Sequence, residues 1–174
     1  MSILFASEMG FCTGVRRAVA LLEKALDEDR DNPPATFGPL VHNPRLLEEY
    51  RARGVRIITS PEEVFPGDRL LLRAHGVPRK QKEALNARGA EIIDATCPKV
   101  AASMRKAREA EKEGRMVILA GDPGHGEMKA VAGVLEDPES TLVVEGVEDV
   151  SKLIFERPVT LIAQTTFEQG TYQK

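Results

Sequence analysis

The sequence contains no tryptophan, two cysteines and three histidines, and only 5% of its 174 residues are aromatic. Nowhere does an apolar run approach the roughly 18 residues of a membrane-spanning helix. The opening segment, Met1-Ser2-Ile3-Leu4-Phe5-Ala6, has no basic stretch ahead of an apolar core, so it does not read as a secretory leader. These absences predict a cytoplasmic protein without a membrane anchor. Net charge is also scarce: 24 basic residues against 27 acidic ones leave −3, with a pI near 5.7, which supplies no broad positive field for nucleic acid. Cys12 and Cys97 permit at most one disulfide, and a cytosolic chain of this size uses cysteine for chemistry or buries it as a small apolar residue. What is present is ordinary for a packed globular protein, with 42% hydrophobic and 29% charged residues.

Along the chain, short apolar runs alternate with amphipathic segments. Ile3 to Ala6 reads as a buried strand, and Val15, Ala18, Val19, Leu22 and Leu26 then share one helical face up to Asp29. Asn43 as N-cap and Pro44 in the first turn predict a helix to Arg53. Strands are expected at Val55 to Ile58, Arg69 to Ala74, Glu91 to Ala95, Met116 to Ala120, Thr141 to Val144 and Val159 to Ala163. Helices are expected near Pro78 to Arg88, Val100 to Glu113, Glu127 to Leu135 and Val147 to Leu153, and Ser60-Pro61-Glu62-Glu63 has the pattern of a capping box. Such alternation predicts an α/β fold with parallel sheets flanked by helices. A strand, a Cys-bearing loop and a helix occur around Cys12 and again around Cys97, so the chain divides into two similar α/β domains, 1–95 and 96–174. A helix is due after Gln164-Thr165-Thr166, so the chain reads as cut soon after a strand.

In parallel α/β sheets ligands bind at the carboxyl ends of the strands. Cys12, His42, His75, Cys97 and His125 all fall in such loops. Cys12 lies between Gly10 and Gly14, and Cys97 between Thr96 and Pro98. Each thiol sits just ahead of a helix, where the helix dipole favours the metal-binding thiolate; the plain alternative is two inert cysteines. His42, His75 and His125 each lie between a strand and a helix, suited to converging on an anion such as diphosphate, although any one alone reads as a cap or surface residue. Glu127 follows His125 at a helix start, either as a proton-relaying carboxylate or as a solvated first-turn residue. Gln164-Thr165-Thr166 offers an amide and hydroxyls to a ligand, or caps a helix. The segment Gly121 to Gly126 matches neither the Walker nor the dinucleotide fingerprint. The cysteines and histidines are too widely spaced for a zinc ribbon or finger.

Five segments in order, Gly10-Phe11-Cys12-Thr13-Gly14-Val15, Val41-His42-Asn43-Pro44, Ala74-His75-Gly76-Val77, Asp94-Ala95-Thr96-Cys97-Pro98 and Gln164-Thr165-Thr166, resemble the signatures of 4-hydroxy-3-methylbut-2-enyl diphosphate reductase, the IspH or LytB family. The resemblance spans nearly the whole chain. It implies a trefoil of three similar α/β modules around a 4Fe-4S cluster held by three cysteines, of which Cys12 and Cys97 match two. His42, His75 and His125 then bind diphosphate, Glu127 belongs to the proton relay, and Thr165 positions substrate. The implied reaction is reductive dehydroxylation of the allylic diphosphate to isopentenyl and dimethylallyl diphosphates in the non-mevalonate isoprene pathway, with ferredoxin or flavodoxin as electron donor. The third module, with the third cysteine, has no counterpart in this chain. The family resemblance therefore predicts a chain inactive alone, with an exposed docking face through which it self-associates. Two other classes fit the bare residues: a non-catalytic diphosphate-binding protein, and a zinc-dependent hydrolase.

Overall fold

Leu70, Leu71 and Leu72 are all fully buried, which successive strand residues achieve only when both faces of their sheet are covered. The protein, seen in a computed structural model that describes residues 3–4, 10–137 and 141–174, meets that condition with helices on either side of parallel strands. The order is α1 (Thr13–Glu28), β1 (Ala35–Phe37), α2 (Pro44–Ala52), β2 (Ile57–Ile58), a 3-10 turn (Pro61–Glu63), β3 (Arg69–Leu72), α3 (Arg79–Ala87) and β4 (Glu91–Asp94). There follow α4 (Pro98–Lys112), β5 (Met116–Ala120), α5 (Gly126–Ala132), β6 (Leu142–Val144), α6 (Val147–Val150), β7 (Val159–Ala163) and α7 (Gln169–Tyr172).

The strands form two sheets, β2-β1-β3-β4 and β6-β5-β7. Every pairing is parallel, with Leu71 beside Thr36 and Ile93, and Leu119 beside Val143 and Ile162. Side chains alternate across each strand. Leu71 therefore joins Ala18, Leu22 and Leu26 of α1 and Tyr50 of α2 on one face, while Leu70 and Leu72 join Phe37, Val77 and Leu85 on the other. In the second sheet Val117 and Leu119 pack against α4 and α5, and Ile118 and Ala120 face Val150 of α6.

Local signals account for most element starts. The Asn43 side chain accepts a hydrogen bond from the Leu46 amide, with Pro44 opening α2, and Ser60 and Glu63 form the expected capping box. Helix α1 has no side-chain cap; its stability comes from the buried stripe Ala18, Leu22, Ala25 and Leu26, as expected where tertiary packing outweighs local propensity.

Some expectations fail. Ile3 and Leu4 lie outside any strand, with relative exposures of 76% and 93%, and the remainder of the expected first strand, Phe5 and Ala6, lies outside the described residues. Conversely, β1 was not anticipated: three buried residues after Pro33-Pro34 carry too little pattern to signal a strand, yet β1 pairs with both β2 and β3. The helix expected at Val147 to Leu153 is one turn ending at Val150, and the helix due after Thr166 is the short α7.

Leu22 is fully buried, so Leu22→Ala should cost about 2–5 kcal/mol in urea unfolding through lost apolar contact and a residual cavity. Lys24→Ala, on the solvent side of the same helix, should stay within about 0.5 kcal/mol. Equal effects would place α1 outside the core.

Candidate functional site

Parallel strands point their carboxyl ends to the same edge of a sheet, so the loops following β1, β3, β4, β5 and β7 carry the candidate residues. His42 follows β1, His75 follows β3, Cys97 follows β4, His125 follows β5 and Thr165 follows β7. For Cys12, the expected preceding strand is not formed at Ile3 and Leu4 and otherwise lies outside the described residues, but the residue itself is the N-cap of α1.

Cys97 is the N-cap of α4, and neither thiol is spent on capping its helix. Both cysteines are free, Cys12 exposed and Cys97 half-buried, which disfavours two inert core residues. A Cβ placed on Gly14 would stand 2.8 Å from Cys97 Sγ; any side chain there would push against the thiol. The glycine in Cys12-Thr13-Gly14 thus lets the first turn of α1 approach Cys97. The Arg17 guanidinium also crosses to the second loop, donating to the carbonyls of Thr96 at 3.3 Å and Asp94 at 3.4 Å. The Asp94 carboxylate fixes that loop by accepting from the Thr96 amide and hydroxyl, and it is itself bonded to Lys82 at 2.7 Å.

The thiol loops join the imidazole loops through the backbone. The Cys97 amide donates to the Ala74 carbonyl at 2.9 Å, one residue before His75. The ring of His75 meets that of His125 edge-on, with centroids 4.9 Å apart and planes at 70°. His125 Nδ1 accepts from the Glu127 amide at 3.2 Å, leaving Nε2 as the other ring nitrogen. Burial first, then the positive fields of His125, Arg73 and His42, hold the His75 imidazole below its ordinary value of 6.5. It is therefore neutral near pH 7. His42 is exposed at the entrance to α2.

Glu127 is the most buried charged side chain of the site, at 1% exposure. Its two carboxylate oxygens are both engaged by Thr165: Oε1 accepts from the Thr165 amide at 2.8 Å, and Oε2 from the Thr165 hydroxyl at 2.7 Å. A solvated first-turn glutamate is thus ruled out, and Thr165 does not cap α7, whose N-cap is Glu168. The pairing ties the loop after β7 to the start of α5. It also satisfies a buried carboxylate, which would otherwise be costly.

Arg73 was missed by the sequence reading. It stands between the buried leucines of β3 and His75, and its Nε is buried without a hydrogen-bond partner among the described residues. A cation closing an apolar run at a strand's carboxyl end was the available signal.

The chemistry of the two thiols fits part of an iron–sulfur ligand set: two free cysteines at helix starts, with Gly14, two residues after Cys12, set against Cys97. The sequence holds no other cysteine. Among the described residues no three His, Cys, Asp or Glu side chains converge as metal ligands. A cleft of about 490 Å³ between α3 and α4, lined by Arg79, Lys82, Asp94 and Arg105, includes none of the histidines or cysteines. No helix among the described residues is long and apolar enough to cross a membrane.

A family model described as LytB protein matches residues 3–174. The 4-hydroxy-3-methylbut-2-enyl diphosphate reductase of Solidesulfovibrio magneticus is 39% identical over 179 residues, covering 99% of this chain and 62% of that protein. The like-named protein of Aquifex aeolicus is 36% identical, covering 100% and 60%. Among solved structures, the E-1-hydroxy-2-methyl-but-2-enyl-4-diphosphate reductase of Plasmodium falciparum superposes with a TM-score of 0.87 at 30% identity, covering 96% of this chain and 52% of that one. A structure of (E)-4-hydroxy-3-methyl-but-2-enyl diphosphate reductase, the terminal enzyme of the non-mevalonate pathway, gives 0.85 at 35% identity, covering 98% of this chain and 60% of that one. The chain therefore spans about 60% of the length of the curated relatives it matches.

The depressed His75 has a measurable consequence. Between its folded value and 6.5 the unfolded chain binds more protons, so this residue makes stability rise with pH and fall as pH drops through 6.5. In an NMR titration the His75 ring should show a midpoint below 6.5, and His75→Gln should remove its share of the acid-side loss of stability. A midpoint at or above 6.5 would contradict the assigned environment.

Proposed function

The chain belongs to the LytB protein family, and from that membership we propose that it carries the thiol pair and the diphosphate site of a reductase in isoprene biosynthesis, the two α/β parts being residues 1–95 and 96–174. The observation that carries this reading is the hydrogen bond from the Cys97 amide to the Ala74 carbonyl, which places the loop of one thiol against the loop of His75. A site that joins a pair of thiols fit for metal to imidazoles suits a substrate that is anionic at one end and reducible at the other.

The substrate in this reading is (E)-4-hydroxy-3-methylbut-2-enyl diphosphate. Two electrons and two protons convert it to isopentenyl or dimethylallyl diphosphate: the carbon–oxygen bond of the hydroxyl breaks, the oxygen leaves as water and one proton ends on carbon. Cys12 and Cys97 would hold a 4Fe-4S cluster, which when bound supplies electrons and a Lewis-acidic iron. Its remaining ligands come from another polypeptide segment, since this sequence has two cysteines, so the chain alone is expected to turn over little or no substrate. Ferredoxin or flavodoxin is the electron donor in this reading.

The chain's own groups have separable tasks. His42, His75 and His125 hold the diphosphate by imidazole hydrogen bonds. The Thr165 hydroxyl, which donates to Glu127 Oε2 in this structure, would turn its proton to the substrate oxygen and release it there as Oγ1 takes up a replacement proton carried by Oε2, 2.7 Å away. Burial of Glu127 keeps that route away from bulk water. Exposed Val147, Leu161 and Tyr172, around an apolar cleft that also includes Phe167, give a face for self-association.

Anaerobic reconstitution with iron and sulfide tests the thiol assignment. Wild-type chain should bind both, below full stoichiometry, and Cys12→Ser and Cys97→Ser should each abolish binding. Iron uptake unaffected by either substitution would contradict the assignment. Stoichiometric zinc in place of iron would support a hydrolase instead, and tight diphosphate binding in a chain that never takes iron would favour a non-catalytic binding protein.

A further inference from the structure

The guanidinium of Arg73 enters a gap bordered on two sides by glycine. A Cβ on Gly38 would lie 3.1 Å from Arg73 Nη1, and one on Gly126 would lie 3.3 Å from Nη2. Gly38 belongs to the loop that leads from β1 to His42, and Gly126 directly follows His125. Both imidazole loops therefore withhold a side chain where this cation passes. The same point above Gly126 is 3.5 Å from His75 Cβ, so the guanidinium and His75 lie side by side.

Nothing in the described residues balances the charge. Nε is buried without a partner, and no carboxylate there pairs with Arg73. Its neighbours are imidazoles, and its field is among the causes that keep His75 neutral. Arg53, Arg69 and Arg79 are matched to Glu23, Glu28 and Glu83, and Arg115, likewise without a carboxylate among the described residues, at least has its Nε bonded to the Thr160 hydroxyl, which the buried Nε of Arg73 lacks. A guanidinium does not release its proton in a protein, and a half-buried cation without a counter-charge is unfavourable unless an anion meets it.

We propose that Arg73 is the permanent positive charge of the anion site, binding a phosphate oxygen of the diphosphate through its η nitrogens. This rests on the reading of the histidine loops as a diphosphate site. It divides the work between groups: the imidazoles orient the anion by hydrogen bonds, and Arg73 neutralises it at any pH at which the protein is folded. Planar, paired N–H donors suit the geometry of a phosphate edge better than a lysine ammonium does.

Calorimetric titration of the 174-residue chain with inorganic diphosphate near pH 8, where free histidines are neutral, tests the assignment. Arg73→Gln should weaken binding at least tenfold, and Arg73→Lys should retain part of the affinity. Gly126→Ala, whose Cβ crowds Nη2, should weaken binding several-fold without changing any charge, and decides the matter should Arg73→Gln fail to fold. Wild-type binding matched by Arg73→Gln, or by Gly126→Ala if only that variant folds, would overturn the role of Arg73 and leave the histidine site standing. Equal losses in Arg73→Gln and Arg73→Lys would reduce Arg73 to a shape-filling wedge and also overturn it. Absence of wild-type binding would remove the diphosphate reading itself, and this proposal with it.

Discussion

The hydrogen bond between the Cys97 amide and the Ala74 carbonyl, which extends the β3–β4 ladder, and the edge-on contact of His75 with His125, which joins the two sheets' loops, are together the constraint on which the arrangement of the site depends. Each sheet is parallel, so each gathers its functional loops on one edge without further instruction. Two sheets do not share an edge automatically. β4 is the last strand of the first sheet, and the helix that follows it, α4, packs on the second. The residue at that crossing is Cys97, which touches both cores. Its bond to Ala74 brings the crossing against the loop of His75, and Gly14 and Arg17 of α1 close over it from the other side.

The electrostatics follow from where the charges are left unbalanced. Glu127 is buried but satisfied, both oxygens being held by Thr165, so it is positioned at little net cost. Asp94 is likewise bonded to Lys82 and Thr96. His75, by contrast, is driven toward its neutral form by burial and by cationic neighbours, and Arg73 has no counter-charge in the described residues. Among the described residues, Glu127 and Asp94 are held by hydrogen bonds while the buried Nε of Arg73 beside the histidine loops is not. This is the pattern expected of a pocket awaiting an anion.

Much of this was legible in the sequence. The buried runs Arg69 to Leu72 and Met116 to Ala120, and the helical stripe through Ala18 and Leu22, identify parallel α/β units because their apolar periods match two-faced strands and one-faced helices. The placement of His75, Cys97 and His125 after strands followed from the same alternation, whereas the strand ahead of His42, β1, carried no such signal. Contacts between distant segments were not legible. Three residues of β1 carry no period, the Thr165 clamp on Glu127 spans 38 positions, and the glycine-lined gap around Arg73 exists only once three loops have come together.

The central claim is that the loops of His42, His75 and His125, with Arg73 between them, form one anion site beside the thiol-bearing helix starts. A crystal structure of the chain with inorganic diphosphate tests it most directly. The account predicts the anion in contact with the Arg73 guanidinium and with His75 and His125, on the side where Cys97 meets Ala74. Diphosphate bound elsewhere, out of contact with Arg73 and with the His75 and His125 rings unchanged, would contradict it.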